Sequence, residues 1–442
     1  MKRLLRLIAI MLLVSLPVTA QAEPLQDYEE ARDIYDTALA CMAAYSNRLG
    51  SLGFSRLEQE GWKVQHFAIE QDATQAKFLL LQQTDPVTGK VRVMLAVAGT
   101  ETTRDIKADL KYGQVYFAGR NFAESAAKAE EKDLDHTFPK VHRGFNDVTQ
   151  LALTADILEG PGEDYVTEHL LSHPEHELLL TGHSLGGAVA TLYAAKLISL
   201  GVRPEQVKVI TFGAPAVGNA AFADLVKDRL NLTRVTVSGD QVTSVLQSLT
   251  GSYVQFGNHA SWEAPSNIVM HPHHIPVYLN MAVKNFYDKR WLAVRAGAVS
   301  VPMQTPPQGP RVYVAPVANS LSADLREEFA YMRETLWEDY RAMFPGYIFA
   351  EGDDDLNTSL AKAAAAGCEW LVAAEIESRP SKNEEGVFFV SLNQVIYRVK
   401  DRTPVSIYGS SDSTERATPI GAFISSVRAM RSENLFRLQQ GG

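Results

Sequence analysis

Cysteine is nearly missing from this chain: Cys41 and Cys368 are the two among 442 residues. That excludes a scaffold stapled by many disulfides and leaves two options, one bridge or two buried thiols. Lys and Arg are outnumbered, 42 against 52 Asp and Glu. An acidic surface argues against a nucleic-acid partner and against simple electrostatic docking on anionic lipid. A run long enough to span a bilayer comfortably is also missing near the start, where Leu7 to Val18 is apolar but short. Lys2, Arg3 and Arg6 precede this run, and Ala20-Gln21-Ala22 follows it. The pattern is that of a bacterial-style secretory signal peptide cleaved after Ala22, which implies export to the periplasm or the outside. No cysteine stands directly after the run, which argues against a lipoprotein. Cleavage takes away three cations and no anions, leaving 39 against 52 and a formal charge of −13. Internal repeats are absent. What remains is ordinary globular material, 46% apolar and 21% charged, with length for two domains.

The most informative stretch is Glu177 to Leu200. An apolar run (Leu178, Leu179, Leu180) meets Gly182-His183-Ser184-Leu185-Gly186, and a segment rich in helix formers follows. Strand, sharp turn and helix with a serine at the tip is the pattern of a nucleophile elbow, G-x-S-x-G. Gly182 and Gly186 sit where side chains would collide in such a turn. The helix start points its first N–H groups at any negative charge that develops near Ser184. A serine hydroxyl needs a base to take its proton, and the base needs a carboxylate to hold its tautomer.

GHSLGGA, together with Val209–Asn219 (VITFGAPAVGN), resembles the class 3 lipases, the family of the fungal triacylglycerol lipases. AVAGTETTRDIKADL, starting at Ala96, resembles a family strand that ends in Arg-Gly-Thr or Arg-Gly-Ser. By that resemblance Thr100 supplies an oxyanion donor beside the N–H of Leu185. Ala98 stands where the family commonly has arginine. The segment that forms the family's lid corresponds to Glu101–Leu110, where Ile106 and Leu110 are the large apolar residues. Such a charged segment argues against strong activation at an oil–water interface. Val141-His142-Arg143-Gly144-Phe145 is similar to the family's V-H-x-G-F, which implies a structural histidine. The resemblance covers roughly Tyr28 to Tyr287 and implies an α/β-hydrolase fold.

The order of the remaining residues agrees with such a fold. The middle of the chain alternates strand and helix, which predicts a mostly parallel sheet with its ligand site at the strands' carboxyl ends. In α/β hydrolases Ser is followed by Asp or Glu and then His. Asp240, closing Val237-Ser238-Gly239-Asp240, fits the acid and resembles a family strand ending in D-P-V-P, with Gln241 and Thr243 replacing the prolines. Asp224 and Asp228 fall on the preceding helix and fit less well. The segment His271-Pro272-His273-His274 offers three histidines. Family members often carry a histidine five residues before a tyrosine-leucine pair. That spacing favours His273 as the base, with His274 as the alternative, while His271 and His259 fit less well. A zinc site in this loop is a competing reading, but no carboxylate or cysteine lies nearby to complete it. No metal and no cofactor is expected.

Four segments follow: a signal peptide over 1–22, a hydrolase domain over 23–291, a proline-rich linker over 292–310, and a small α+β domain of unassigned role over 311–442. The expected function is hydrolysis of acylglycerols or related lipid esters through an acyl-enzyme. Phospholipase A1, short-chain carboxylesterase, acyl transfer to another alcohol, and a non-catalytic binding protein on the same fold are the alternatives.

Overall fold

The computed structural model describes residues 18–45, 48–71, 74–84, 91–99, 113–118, 122–131, 135, 137–153, 166–306 and 311–439. The run 1–17 of the expected signal peptide, Thr100, and the candidate lid Glu101–Leu110 lie outside the described residues. Among the described residues, no helix is long and apolar enough to cross a membrane.

The helices are, in chain order, α1 (Val18–Ala43), α2 (Arg48–Gln59), α3 (Phe122–Ala129), α4 (Arg143–Leu153), α5 (Val166–Ser172), α6 (Leu185–Ser199), α7 (Ala220–Val226), α8 (Val245–Thr250), α9 (Ile275–Arg295), α10 (Phe329–Met343), α11 (Leu356–Ala365) and α12 (Pro419–Gln439). The strands are β1 (Lys63–Gln71), β2 (Thr74–Thr84), β3 (Val91–Val97), β4 (Gln114–Tyr116), β5 (Lys140–His142), β6 (Glu177–His183), β7 (Val207–Phe212), β8 (Asn231–Val237), β9 (Asn258–Trp262), β10 (Arg311–Val314), β11 (Ala318–Ser320), β12 (Gly346–Phe349), β13 (Trp370–Pro380), β14 (Phe388–Arg398) and β15 (Thr403–Ser413). They divide into two compact units. One holds Asp36–Ala264 and His271–Leu279; the other holds the residues up to Tyr35, Pro265–Met270 and Asn280–Gly442.

The first unit is built on a seven-stranded sheet of order β1-β2-β3-β6-β7-β8-β9. β1, β2 and β3 pair antiparallel; from β3 onward every pairing is parallel. The parallel strands carry unbroken apolar runs because both faces are covered. In β6, residues Leu178 to His183 are all buried. Helix α6 is buried on every side from Gly186 to Ile198, largely apolar, with the Lys196 ammonium donating to the Ala118 carbonyl at 3.2 Å. The Thr181 hydroxyl donates a hydrogen bond to the Ile210 carbonyl at 2.7 Å, and Cys41 packs its thiol on that hydroxyl at 3.2 Å. Burial pushes this thiol up to about 12, so it is an inert packing group. Cys41 and Cys368 are both free thiols.

The second unit is a mixed α+β body. Its sheet runs β12-β10-β13-β14-β15, with β11 beside β13. β10 lies parallel to β12 and β13, and β13, β14 and β15 form an antiparallel meander. Side chains alternate across β13. Trp370, Val372 and Ile376 join a core with Met332, Leu336 and Tyr340 of α10 and Phe423, Val427 and Met430 of α12, whereas Leu371 packs with Leu360 and Ala363 of α11.

The boundary differs from the expected 291/292 division. From Asn280 onward α9 belongs to the second unit, as does the first part of α1. The reason is packing within that unit. Phe286 stacks on Tyr35 at 5.1 Å and on Tyr28 at 5.7 Å, and Lys289 pairs with Asp27. The Arg290 guanidinium is held by the carboxylates of Glu334 and Glu338. Apolar periodicity along α1 and α9 reveals a buried face but not which neighbour covers it.

Candidate active site

β6 delivers Ser184 to the carboxyl edge of the parallel sheet. The chain turns there through a backbone that L-residues rarely adopt, with Ser184 at φ 58° and ψ −126°. That strain is localised at the tip and is held by its surroundings. Ser184 N–H donates to the Phe212 carbonyl of β7 at 2.9 Å, and its own carbonyl accepts from Gly187 at 3.1 Å. The flanking glycines are a steric requirement. A Cβ on Gly182 would lie 2.2 Å from the Gly186 carbonyl carbon, and one on Gly186 would lie 2.2 Å from the Val97 carbonyl oxygen. Leu185 opens α6, so its N–H is among those that helix geometry leaves without an intrahelical partner.

Asp240 follows β8 through Gly239 and caps a short 3-10 turn, accepting from Val242 N–H at 3.0 Å. His273 lies in the tight turn that leads into α9, where His274 N–H donates to the His271 carbonyl at 2.9 Å. The structure joins the three in one row. His273 Nε2 is 2.9 Å from Ser184 Oγ, and His273 Nδ1 is 2.9 Å and 3.0 Å from the two Asp240 oxygens. A carboxylate can only accept, so Nδ1–H donates to Asp240 and Nε2 is left to accept the Ser184 proton. Ser184 is 1% exposed, His273 2% and Asp240 6%, so solvent screens these contacts little. His274, the alternative, is exposed, and the hydrogen bonds of Ser184 and Asp240 to an imidazole go to His273. Burial alone would push the Asp240 carboxyl up; the hydrogen bonds from His273, Tyr278 and Val242 outweigh it and hold the group below the ordinary carboxylate value.

Three neighbours complete the geometry, and none was singled out from the sequence. Tyr278, on the first turn of α9, donates its hydroxyl to Asp240 Oδ2 at 2.5 Å and accepts from Val237 N–H at 3.2 Å. Burial and the adjacent charge push its phenol well up, so it stays a donor. Gly213, at φ 58°, brings bare backbone against the row; a Cβ there would lie 2.7 Å from Asp240 Oδ2 and 3.2 Å from His273 Nδ1. His183 donates Nε2–H to the His273 carbonyl at 2.7 Å, and its Nδ1 accepts from Tyr45 at 2.7 Å. Burial, reinforced by His273, pushes His183 down to about 3, so it is a neutral strut. The signal for Tyr278 was present, since it is the tyrosine used to place His273. His142 is fully buried on β5 and stacked on Phe145 at 4.1 Å, outside the row.

Chemically, the row can pass a proton from a serine hydroxyl to an imidazole whose cation a carboxylate stabilises. Residues 94–249 match the family model described as Lipase (class 3). Secreted mono- and diacylglycerol lipase A of Penicillium camembertii is 36% identical over 100 residues, 23% of this chain and 32% of that protein. The chloroplastic phospholipase A(1) DAD1 of Arabidopsis thaliana is 43% identical over 67 residues, 15% of each chain. The chain thus spans a third or less of the length of these curated relatives. A solved lipase structure from Rhizopus microsporus var. chinensis aligns over 53% of this chain and 74% of its own, at 21% identity and a TM-score of 0.39. Segment 94–249, on a mostly parallel sheet that bears the serine elbow, thus matches the class 3 lipase family.

Proposed function

We propose that this protein hydrolyses carboxylic esters of lipids, acylglycerols first, through a covalent acyl-enzyme. The observation that carries the reading is the buried row Ser184–His273–Asp240, with both links at 2.9 Å. Ser184 attacks the ester carbonyl while His273 Nε2 takes its proton. Asp240 keeps His273 in the Nδ1–H tautomer and stabilises the imidazolium. The N–H of Leu185 faces the oxyanion as it forms, and Thr100 is proposed as the second donor by its place in the family motif. Such a donor is worth about 3–4 kcal/mol where it has been removed in other enzymes. His273 then protonates the leaving alcohol, and water repeats the sequence on the acyl-enzyme.

Treatment of the purified protein with a fluorophosphonate tests this directly. The adduct is expected on Ser184, and Ser184→Ala is expected to lower turnover of a p-nitrophenyl ester by about 10⁴–10⁶-fold. An adduct elsewhere, or undiminished turnover, would falsify the assignment. A phospholipase A1 activity is the second reading, supported by the local likeness to the Arabidopsis enzyme. Release of fatty acid from the sn-1 position of phosphatidylcholine, set against release from diacylglycerol, separates the two. Export is part of the same proposal and rests on the cationic start, the short apolar run and the Ala20-Gln21-Ala22 site. Mass spectrometry of the secreted protein is expected to find Glu23 at its N-terminus.

A further inference from the structure

At the opposite end of β6 from Ser184, three histidines converge. His169 lies on α5, and His173 N–H donates to the His169 carbonyl at 2.9 Å, so the helical turn continues and sets His173 over His169. His176 N–H donates to the His173 carbonyl at 3.0 Å, folding the third ring back onto the other two. The rings crowd together: centroids are 4.6 Å apart for the stacked pair His169 and His173, 4.8 Å for the stacked pair His173 and His176, and 5.0 Å for the tilted pair His169 and His176. One ring nitrogen from each lies within 4.8 Å of the other two, and His169 Nε2 stands 2.9 Å from His176 Nδ1.

Two details go beyond proximity. His173 donates Nδ1–H to the His169 carbonyl at 3.1 Å. That fixes its tautomer and leaves Nε2 with the lone pair, the arrangement by which outer contacts orient metal-binding histidines. The loop is also braced from below. The buried Gln206 amide donates to the carbonyls of Leu170, His173 and His176 at 3.0, 3.1 and 3.2 Å. The carboxylate of Glu175 is 3.6 Å from His176 Nε2, on the ring edge away from His169, where it can orient the imidazole from outside.

We propose that His169, His173 and His176 form a binding site for a divalent transition-metal ion of the zinc type. Imidazole nitrogens suit such ions, at about 2.0–2.1 Å from the metal. Three nitrogens at that distance in a tetrahedral arrangement stand roughly 3.3–3.5 Å apart, so the widest pair closes by up to about 1.4 Å through side-chain rotation. Water completes the shell. β6 separates this cluster from Ser184 by roughly 20 Å at the usual rise per residue. The ion therefore pins α5 to the start of β6 and takes no part in the ester reaction.

The test uses the full chain, stripped with EDTA and titrated with zinc chloride, with magnesium chloride as the control. The expected result is one zinc retained per chain by elemental analysis after gel filtration. A melting temperature raised by at least about 2 °C, unchanged by magnesium, is expected with it. His173→Ala is expected to weaken zinc binding at least roughly tenfold, as loss of a ligand should by comparison with outer-shell losses. His274→Ala, in the other histidine-rich loop, is expected to leave zinc binding intact. If His173→Ala fails to fold, the milder His176→Gln replaces it. Ester turnover of the zinc-free protein below its melting range is expected to equal that of the loaded protein. Absence of retained zinc, or binding that survives loss of His173 and His176 but not of His274, overturns the proposal.

Discussion

Gly213 has no side chain, and the candidate site is shaped around that fact. A methyl group there would stand 2.7 Å from Asp240 Oδ2 and 2.9 Å from the Tyr278 hydroxyl, on a backbone at φ 58°. Gly213→Ala is expected to push the carboxylate off His273, lowering kcat at least about tenfold while KM changes little. Partial unfolding would also lower apparent kcat at unchanged KM, so a melting temperature close to the parent's is the control. Tyr278→Phe probes the same carboxylate from its other side. It removes a donor from Asp240 and leaves the buried Val237 N–H without its acceptor, so stability should fall by about 1–3 kcal/mol in urea unfolding. His183 yields a pH prediction. Its folded value is about 3 against an ordinary 6.5. Between those values the unfolded chain binds a proton that the folded chain refuses, so stability rises with pH there and is lost on acidification. The limiting slope is about 1.4 kcal/mol per pH unit. His183→Gln, less stable at pH 7, should therefore show a shallower acid decline than the parent between pH 6 and 4; parallel declines would contradict the assignment. Ser184, Asp240 and His273 could be named from spacing because each occupies a fixed place in a motif. Gly213 and His183 could not, because their significance lies in contacts across 60 and 90 residues of chain that no local pattern encodes.

The elbow is the element on which those residues depend. Its glycines face main chain, which cannot give way as the tip of a flexible side chain can. Gly186→Ala would drive a Cβ to 2.2 Å from the Val97 carbonyl of β3 and force α6 away from the sheet. The expected cost is above about 3 kcal/mol, read as loss of soluble protein or a strongly lowered melting temperature. Gly251, at φ 63° with open space around it, is the control; Ala there should cost about 1 kcal/mol, from backbone strain alone. Similar losses at the two positions would mean that packing at the elbow is looser than the geometry requires. Strand, turn and helix were legible here because an apolar run, two glycines and a helix-forming segment all agree. Elsewhere boundaries slipped. The amphipathic pattern of Ser320–Phe344 predicts one helix, but the chain forms a 3-10 segment over Ala323–Glu328 before α10 begins at Phe329. β12 is four residues long and gives too short an apolar signal to be read as a strand.

At the scale of the molecule the proline-rich run after Leu292 is a misleading boundary. Prolines mark where a chain cannot continue a helix or ladder; they do not say on which side a domain's core ends. The second unit takes its core from both sides of that run. Tyr287 is 1% exposed, and Trp291 sits 5.4 Å from the Tyr331 ring. Lys284 pairs with Glu328 at 2.8 Å, and Arg290, 5% exposed, lies between Glu334 and Glu338. A chain ended at residue 310 would lose every one of those partners and expose the aromatic face of α9. Each fully buried large apolar side chain returned to water costs about 1.5–3 kcal/mol, enough for three of them to rival the net stability of a typical domain. That truncation is therefore expected to give aggregated protein with little ester turnover, even though Ser184, Asp240 and His273 are all retained. In the full chain, Arg290→Met removes the cation from two largely buried carboxylates and is expected to cost about 3–5 kcal/mol. Arg290→Met combined with Glu334→Leu and Glu338→Gln should recover most of that loss. A soluble chain ending at 310 with the turnover of the parent would show that α9 can cover its own apolar face, and would restore the boundary to the proline-rich run.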